Sequence, residues 1–410
     1  MKKETLIIGG GITGLSLAWE LSCLGLSSTI VEKAPFMGGH VSNFACKATQ
    51  TCQKCGACQL EDYLSKVHKA ENVDLMVSST VDSLIQNGRD FKTMILQRNS
   101  VIINDKCDDC GLCLKVCPVE GALFYPAFDS RLYISNEKCL NSIGIHCEAC
   151  AQICPQGAVE LQEKSRVMEI EVGSIAICTG FSPYDPTQKL KFGYRRVPGV
   201  ITSLELDSIL RTGNFQSAAF GEAPKSVAFI QCVGSRDPRS GTNYCSQICC
   251  GVSIRLARLI KNRYPDINLT IFYMDIQTFE REFDRTLDRA QNDINFIRAM
   301  PSEIHSDEDG FPRVVYHGGD ETREVTPFDL VVLSVGIAPR DPDLPGSFPA
   351  LWRNRDGFIG SDDNDVDAGH PGIFVAGAAQ GPKSISACVS HAILAASQIK
   401  RYLDRAKRGE

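Results

Sequence analysis

Two runs of four cysteines, each closed by a proline, constrain this chain more than any other feature: Cys107-x2-Cys110-x2-Cys113-x3-Cys117-Pro118 and Cys139-x7-Cys147-x2-Cys150-x3-Cys154-Pro155. Gaps of two residues let three thiolates converge on one iron–sulfur cube, and the fourth cysteine of each run reaches the other cube. The spacing predicts a bacterial-type two-cluster ferredoxin module over residues 100–160. Cys107, Cys110, Cys113 and Cys154 would hold one [4Fe–4S] centre, and Cys139, Cys147, Cys150 and Cys117 the second. Zinc sites also use C-x2-C pairs, but they have no need of paired four-cysteine runs each ending in proline.

The sequence around this module has a different character. Thr5-Leu6-Ile7-Ile8-Gly9 reads as a buried parallel strand that runs into Gly9-Gly10-Gly11-Ile12-Thr13-Gly14 and a helix-like stretch to Leu24. Gly9 permits the tight turn, Gly11 lets backbone approach a pyrophosphate, and Gly14 permits close helix–strand packing. A second strand, Ser28-Thr29-Ile30-Val31, ends at Glu32, whose carboxylate is placed to accept a bond from a ribose hydroxyl. Strand, glycine turn, helix, second strand and acid fall in the order that dinucleotide binding requires. Lys33, Gly38, Gly39 and His40 follow, and the Gly38-Gly39 pair resembles the extended FAD fingerprint of two-dinucleotide-domain flavoproteins. The expected cofactor is therefore FAD.

Two later apolar runs ending in glycine, Ile175 to Gly180 (with Thr179 and Gly180 at the turn) and Val331 to Gly336, are similar to further strands of that module. Gly372 to Gly377 reads as its last strand, followed by a turn to Lys383 and a helix from Ile385 to Leu403. In that superfamily this turn approaches the flavin, and an aspartate usually follows Gly377. Ala378 stands there instead. Lys383 is the residue expected to tune the flavin, against the plainer reading of a solvated lysine at a helix start.

Two further cysteine sets remain. Cys46-x5-Cys52-x2-Cys55-x2-Cys58 leaves the FAD fingerprint loop and has enough thiols for a third cluster, for zinc, or for none. Lys225 to Ile230 reads as the strand that would open a nicotinamide-binding domain, yet Gln231-Cys232-Val233-Gly234-Ser235-Arg236-Asp237 follows it in place of the phosphate-cradling glycines. With Cys245, Cys249 and Cys250, Cys232 makes a fourth candidate iron–sulfur site, the alternative being buried thiols or a redox-active pair. Cys23, Cys178 and Cys388 fall in apolar patterns and read as small core residues.

Composition sets the outer limits. A net charge of −6 over 410 residues gives no reason to expect nucleic acid as a partner. No apolar run approaches the roughly 18 residues of a membrane span, and Met1-Lys2-Lys3-Glu4 leads into a strand without a signal-peptide stretch, so the expected location is cytoplasmic. Nineteen cysteines in clustered spacings then suggest metal rather than disulfides. The seven histidines form no ligand-spaced pair, and hydrolytic catalysis has no support. Ile276 to Ala299, with Phe279, Phe283, Leu287 and Ala290 at helical spacing, reads as a core-facing amphipathic helix.

Taken together, Gly9 to Gly14 with Glu32, the two ferredoxin runs, Gln231 to Asp237, Tyr244-Cys245-Ser246-Gln247-Ile248-Cys249-Cys250 and Gln380-Gly381-Pro382-Lys383 resemble the A subunit of heterodisulfide reductase, as well as the A subunit of the quinone-interacting membrane-bound oxidoreductase. The resemblance covers nearly the whole chain. It implies an α/β, thioredoxin-reductase-like two-dinucleotide-binding-domain flavoprotein with an inserted α+β ferredoxin domain carrying two [4Fe–4S] clusters. The expected division is an FAD domain in three parts (1–99, 161–221 and 329–410), the insert (100–160), and a degenerate nicotinamide-type domain (222–328) whose Cys232 set holds a cluster. It also implies an electron hub in anaerobic energy metabolism, in some members bifurcating electrons at the flavin. Its partners would be the other subunits of a heterodisulfide-reductase-like or quinone-interacting complex, with ferredoxin or a hydrogenase-type donor, and only through them would it sit beside a membrane. The chain reads as a short form. Two competing readings are a self-sufficient NAD(P)H-dependent reductase similar to the iron–sulfur flavoproteins that feed glutamate synthase, and a scaffold or assembly subunit whose clusters are structural.

Overall fold

The computed structural model describes residues 2–98, 106–125, 132–135, 138–161, 165–217, 223–240, 242–277, 279, 283–318, 323–361, 363 and 365–408. Its first sheet is built on Lys2–Ile8, whose residues from Thr5 onward are buried, as a central parallel strand with helices over it requires. The strand order is Asp367–His370, Ile373–Val375, Ser165–Ile177, Lys2–Ile8, Ser28–Val31, Val73–Met76, antiparallel at the first pair and parallel from Ile373–Val375 onward. Helix Ile12–Cys23 and the C-terminal helix Ile385–Arg408 pack together on one face, where Leu15, Ala18, Ala392 and Ala395 are fully buried. The small residues let the two helices approach closely.

Strand Ser165–Ile177 serves two pairings. Its second half lies parallel to Lys2–Ile8, while its first half runs antiparallel to Asp90–Arg98, which in turn pairs with Ser79–Asn87. Arg98 stands opposite Ser165 in this register. The ferredoxin-type segment therefore leaves and returns at one hairpin end, where an insertion interrupts no sheet pairing. The insert is small: strands Leu123–Phe124 and Tyr133–Ile134, helices Leu112–Val116 and Ala149–Ile153, and a core of Leu123, Leu132, Ile134 and Cys150 against which other cysteines pack. It touches the first domain through Phe36, whose ring lies 5.6 Å from Phe124 and 6.2 Å from Tyr133.

The second sheet is also parallel, in the order Val200–Thr202, Leu330–Val335, Ser226–Val233, Asn268–Phe272, Asn295–Ile297. Helix Ser203–Thr212 follows its edge strand, opened by a capping box in which Thr202 and Glu205 exchange bonds. Helix Cys249–Arg263 covers the sheet, and a three-stranded antiparallel sheet, Glu303–Ser306, Pro312–His317 and Arg323–Pro327, completes the domain.

Three expectations are corrected here. Leu330–Val335 lies in the second sheet, registered on Val227 to Val233, and not among the strands of the first module. Val200–Thr202, expected in the first module, is the edge of the same second sheet. An apolar run ending in glycine reads alike for any buried parallel strand, so the pattern cannot say which sheet it joins. The chain crosses between domains where Ser182–Pro183 pairs with Ile337–Ala338. Among its described residues, the amphipathic segment from Ile276 to Ala299 is helical over Phe283–Gln291 alone and becomes strand at Asn295–Ile297. Phe283 and Ala290 are buried as their spacing predicts, but Phe279 is 53% exposed; residues 278 and 280–282 lie outside the described set. Among the described residues no helix is long and apolar enough to cross a membrane.

Candidate functional site

A cavity of about 580 Å³ opens at the carboxyl end of Lys2–Ile8. Gly9, Gly11, Ile12, Thr13, Glu32, Lys33, Gly38, Gly39, His40, Thr179, Gly180 and Lys383 all line it. Gly14 and Gly377 lie beneath the lining. A Cβ on Gly14 would fall 2.0 Å from the Gly9 carbonyl oxygen, and one on Gly377 would fall 2.1 Å from Thr13 Oγ1. Gly9, at φ +109, faces the Cys178 carbonyl, which a Cβ would meet at 2.5 Å. Above Gly11, in contrast, a Cβ would find nothing nearer than 3.9 Å.

That open space lies at the start of helix Ile12–Cys23, which has neither a side-chain cap nor an acid in its first turn. Its leading N–H groups and the positive end of its dipole thus favour an anion. Glu32 closes the second strand, accepting from the Gly10 N–H at 2.6 Å and the Ala34 N–H at 2.8 Å. Burial pushes its pKa up against these bonds and against the positive charges of Arg340 and Lys33. Two hydroxyls at the cavity, Thr179 Oγ1 and Ser78 Oγ, are buried without a protein partner. A helix start open to an anion, an acid at the second strand end and buried hydroxyls wanting partners fit a bound dinucleotide. Lys383 Nζ donates to Gln380 Oε1 at 2.5 Å, and burial lowers its pKa to about 8. His40 donates from Nε2 to the Phe181 carbonyl at 3.1 Å and stacks on that ring at 4.6 Å; burial lowers its pKa.

The other walls come from every remaining unit of the chain. Phe124 and Ser135 belong to the insert, Cys55 to the Cys46–Cys58 loop, and Cys249, Val252 and Arg255 to the second domain. Lys47 and Asp207 clamp the loop to that domain in an ion pair of 2.7 Å, with side chains only 4% and 3% exposed. Asp207 also accepts the Ala45 N–H, and Gln53 receives bonds from Arg255 and Arg258. Nothing in the spacing around Lys47 or Asp207 announces this pair; they meet across 160 residues.

Cys107, Cys110, Cys113 and Cys154 share one small cavity of the insert. Cys139 and Cys117 both raise the pKa of Cys150, after burial, and so lie close to it, while Cys147 is half-buried just before the helix that carries Cys150. Cys58 feels Cys55, Cys52 and Cys46 in the same way. Cys232, Cys245, Cys249 and Cys250 surround a second small cavity together with Arg236 and Phe279. Burial pushes Cys232 up to about 12 and raises Cys249 and Cys250 as well. Among the described residues no three Cys, His, Asp or Glu side chains form a single-ion site; the thiols of the Cys107 and Cys232 sets each meet around a shared cavity. Cys178 and Cys388 are buried at the main cavity, whereas Cys23, expected in the core, is exposed at the end of its helix.

At the turn that replaces the second glycine motif, Cys232 adopts φ +58 and the register slips between Ile230 and Val233. A Cβ on Gly234 would fall 2.0 Å from the Tyr184 ring. Tyr184 thus fills the space over the turn where a nicotinamide cofactor would place its pyrophosphate. Arg236 forms a bidentate pair with Asp275, which follows the neighbouring strand as Glu32 follows its own. Tyr184, Asp275 and Arg340 carry no sequence signal that would have singled them out.

Comparisons with known proteins agree with this layout. Residues 7–57 match the NAD(P)-binding Rossmann-like domain family and residues 106–158 the 4Fe-4S dicluster domain family. The chain is 34% identical over 418 residues to the A subunit of the H(2):CoB-CoM heterodisulfide,ferredoxin reductase of Methanothermobacter thermautotrophicus, covering 96% of this chain and 63% of that one. It is 33% identical over 430 residues to the iron-sulfur A subunit of the CoB--CoM heterodisulfide reductase of Methanocaldococcus jannaschii, with 97% and 64% covered. For the A subunit of the ferredoxin/F(420)H(2)-dependent CoB-CoM heterodisulfide reductase of Methanosarcina acetivorans the identity is 32%, with 98% and 53% covered. The chain therefore spans about half to two-thirds of the length of these curated relatives. Among solved structures, thioredoxin reductase from T. acidophilum superposes with a TM-score of 0.55 at 15% identity over 99% of both chains, and that from Lactococcus lactis with 0.53 at 15% identity over 98% and 99%. The likeness identifies a thioredoxin-reductase-like fold with a dicluster domain inserted at 106–158.

Proposed function

The chain belongs to the family of heterodisulfide reductase A subunits, and from that premise we propose that it is an FAD- and iron–sulfur-bearing electron-transfer component of a multi-subunit oxidoreductase complex, with branching of electron flow at the flavin. One observation carries the reading: a single cavity, walled on one side by the glycine turn of a dinucleotide domain, also reaches the insert, Cys55 and Cys249. When bound, FAD would supply the exchange between two-electron and one-electron chemistry.

The chain's own residues have distinct tasks in this reading. The open helix start at Gly11 would hold the pyrophosphate, and Glu32 would orient a ribose hydroxyl. Lys383, held by Gln380, would keep a positive charge at the cavity below pH about 8. Cys249 borders both this cavity and that of the Cys232 set, so a cluster there would meet the dinucleotide site through one residue. Cys55 and Cys249 lie on separate elements, which supports two exits from the cavity and hence branching. The partners that supply and accept electrons would be other subunits of the complex. Tyr184 over Gly234 weighs against a self-sufficient NAD(P)H reductase.

Anaerobic iron and flavin quantification, with EPR of the dithionite-reduced chain, tests the proposal. About sixteen irons and one FAD are expected from four cysteine sets, each holding a four-iron cube. About eight irons would confine the clusters to the insert and remove both other cysteine sets from the electron path. NADPH alone is expected to leave the flavin oxidised.

A further inference from the structure

Two buried serines border the Cys232 set. Ser235 is 2% exposed and Ser246 0%, and both line the small cavity that the four thiols surround. Their hydroxyls lie 2.5 Å apart, so one donates to the other. Ser246 Oγ also accepts the Ile337 N–H at 2.9 Å. The Ile337 carbonyl accepts the Tyr244 hydroxyl, again at 2.9 Å, so the segment that carries Cys245 grips both backbone groups of one residue. Ile337–Ala338 is the strand of the domain crossing, paired with Ser182–Pro183, and this pairing fixes the anchor. Gly336 makes room for the hydroxyls: a Cβ there would fall 2.3 Å from Ser235 Oγ and 2.6 Å from Ser246 Oγ. Two hydroxyls bring two protons, and the bond between them uses one. Among the described residues no oxygen accepts the other. A buried hydroxyl proton without an acceptor is costly, and the cavity that both serines line is walled by four sulfurs. Burial and the neighbouring thiols push the Cys249 pKa up, and the Ser235 hydroxyl opposes them as a hydrogen-bond donor.

We infer that Ser235 tunes the cluster held by the Cys232 set, donating its hydroxyl proton to the sulfur of Cys249, and that Ser246 is its positioning residue. Ser246 Oγ already accepts from Ile337, which favours its own proton going to Ser235 Oγ and leaves the Ser235 proton for sulfur. A donor aimed at sulfur stabilises whichever form carries more negative charge. Gaining an electron adds one negative charge to a cluster, so this bond favours the reduced form and raises the reduction potential. No covalent bond is made or broken, and no proton is transferred. Another donor, the Gln247 N–H, lies 3.3 Å from Cys245 Sγ, but it belongs to the backbone and is shared by any side chain at that position. Cys249 also borders the dinucleotide cavity, so raising the potential here makes this cluster the better acceptor for an electron leaving that cavity. The inference rests on the proposed function, because it takes the Cys232 set to hold a cluster.

The test is an anaerobic redox titration of the full holo chain, following by EPR the cluster signal that Cys249→Ser removes. Ser235→Ala is expected to lower its midpoint potential, so that at a fixed solution potential the ratio of reduced to oxidised cluster falls about tenfold, equivalent to about 59 mV for one electron. Ser246→Ala should shift it the same way by less, since Ser235 keeps its hydroxyl and loses only the partner that orients it. Ser253→Ala is the control. It removes one hydroxyl of another buried pair, Ser253 and Ser334 at 2.7 Å, on the same helix as Cys249 but outside the lining of the cysteine cavity, and should leave the potential unchanged. In deuterated buffer, pulsed EPR of the reduced wild type should show an exchangeable deuteron coupled to this cluster that Ser235→Ala lacks. An unchanged or raised potential in Ser235→Ala with its iron intact, or an equal fall in Ser253→Ala, overturns the proposal. Should Ser235→Ala lose iron, Ser246→Ala decides by the same criterion. A wild-type iron count of about eight, with the Cys232 set empty, would instead sink the reading beneath, whatever the serines do.

Discussion

Two turns occupy the same place in the two parallel sheets. Where Lys2–Ile8 ends, the chain turns through Gly9 to Gly14, leaving the start of its helix open over a large cavity. Where Ser226–Val233 ends, it turns through Cys232 to Arg236, and Tyr184 closes the space above. In the first, Glu32 at the end of the neighbouring strand receives backbone N–H groups at the cavity; in the second, Asp275 after the neighbouring strand is spent on Arg236. The same strand–turn–helix frame thus offers a polar cradle in one domain and a thiol-lined one in the other. The position outside strand ends is the useful property of the frame, and the side chains placed there decide what it holds.

The sharpest way to break this comparison is Cys249→Ser. It is expected to cost about four irons and one reduced-state EPR signal while flavin content stays the same. Unchanged iron would mean that the second turn holds no cluster. Lys47→Met comes next, because it leaves Asp207 buried and charged with only the Ala45 N–H; a loss of about 3–5 kcal/mol in denaturant unfolding is expected. Adding Asp207→Leu should recover most of that loss, and no recovery would show that the pair acts by more than electrostatics.

A matched pair of glycine substitutions sharpens the contrast. Gly14→Ala drives a Cβ against the Gly9 carbonyl and Gly234→Ala drives one into the Tyr184 ring, each at an overpacking cost of about 1–3 kcal/mol, to which the φ of +76 at Gly234 adds about 1–2 kcal/mol. Only the first is expected to lower flavin content, measured as flavin per chain after gel filtration. Equal flavin loss in both would erase the distinction between the turns. The smallest effect is expected from Lys383→Gln. With its pKa lowered to about 8 by burial, Lys383 carries its charge below that pH and loses it above. The midpoint potential of the bound flavin should therefore fall more steeply as pH rises through about 8 in wild type, and the variant should lack that inflection and lie lower at neutral pH. A superimposable pH profile would remove Lys383 from flavin tuning.

The glycine fingerprint was legible because each glycine answers a local steric demand, and the ferredoxin runs because thiolates a few residues apart must converge. The sheet joined by Leu330–Val335 was not legible, since a buried apolar strand carries no mark of its neighbours. The early end of the helix at Gln291 escapes the pattern because Phe283, Leu287 and Ala290 keep helical spacing only as far as the turn into Asn295–Ile297.

What the sequence determined alone is therefore local: which residues turn, which start a helix, and which thiols lie near enough along the chain to share a cluster. The tertiary structure decided that Cys55, Cys249, Phe124 and the Gly9–Gly14 turn meet at one cavity, that Lys47 finds Asp207, and that Tyr184 covers Gly234. Each of these meetings joins residues far apart in the chain. They are set by how two sheets and an insert pack together, a relation between surfaces that no short window of residues contains.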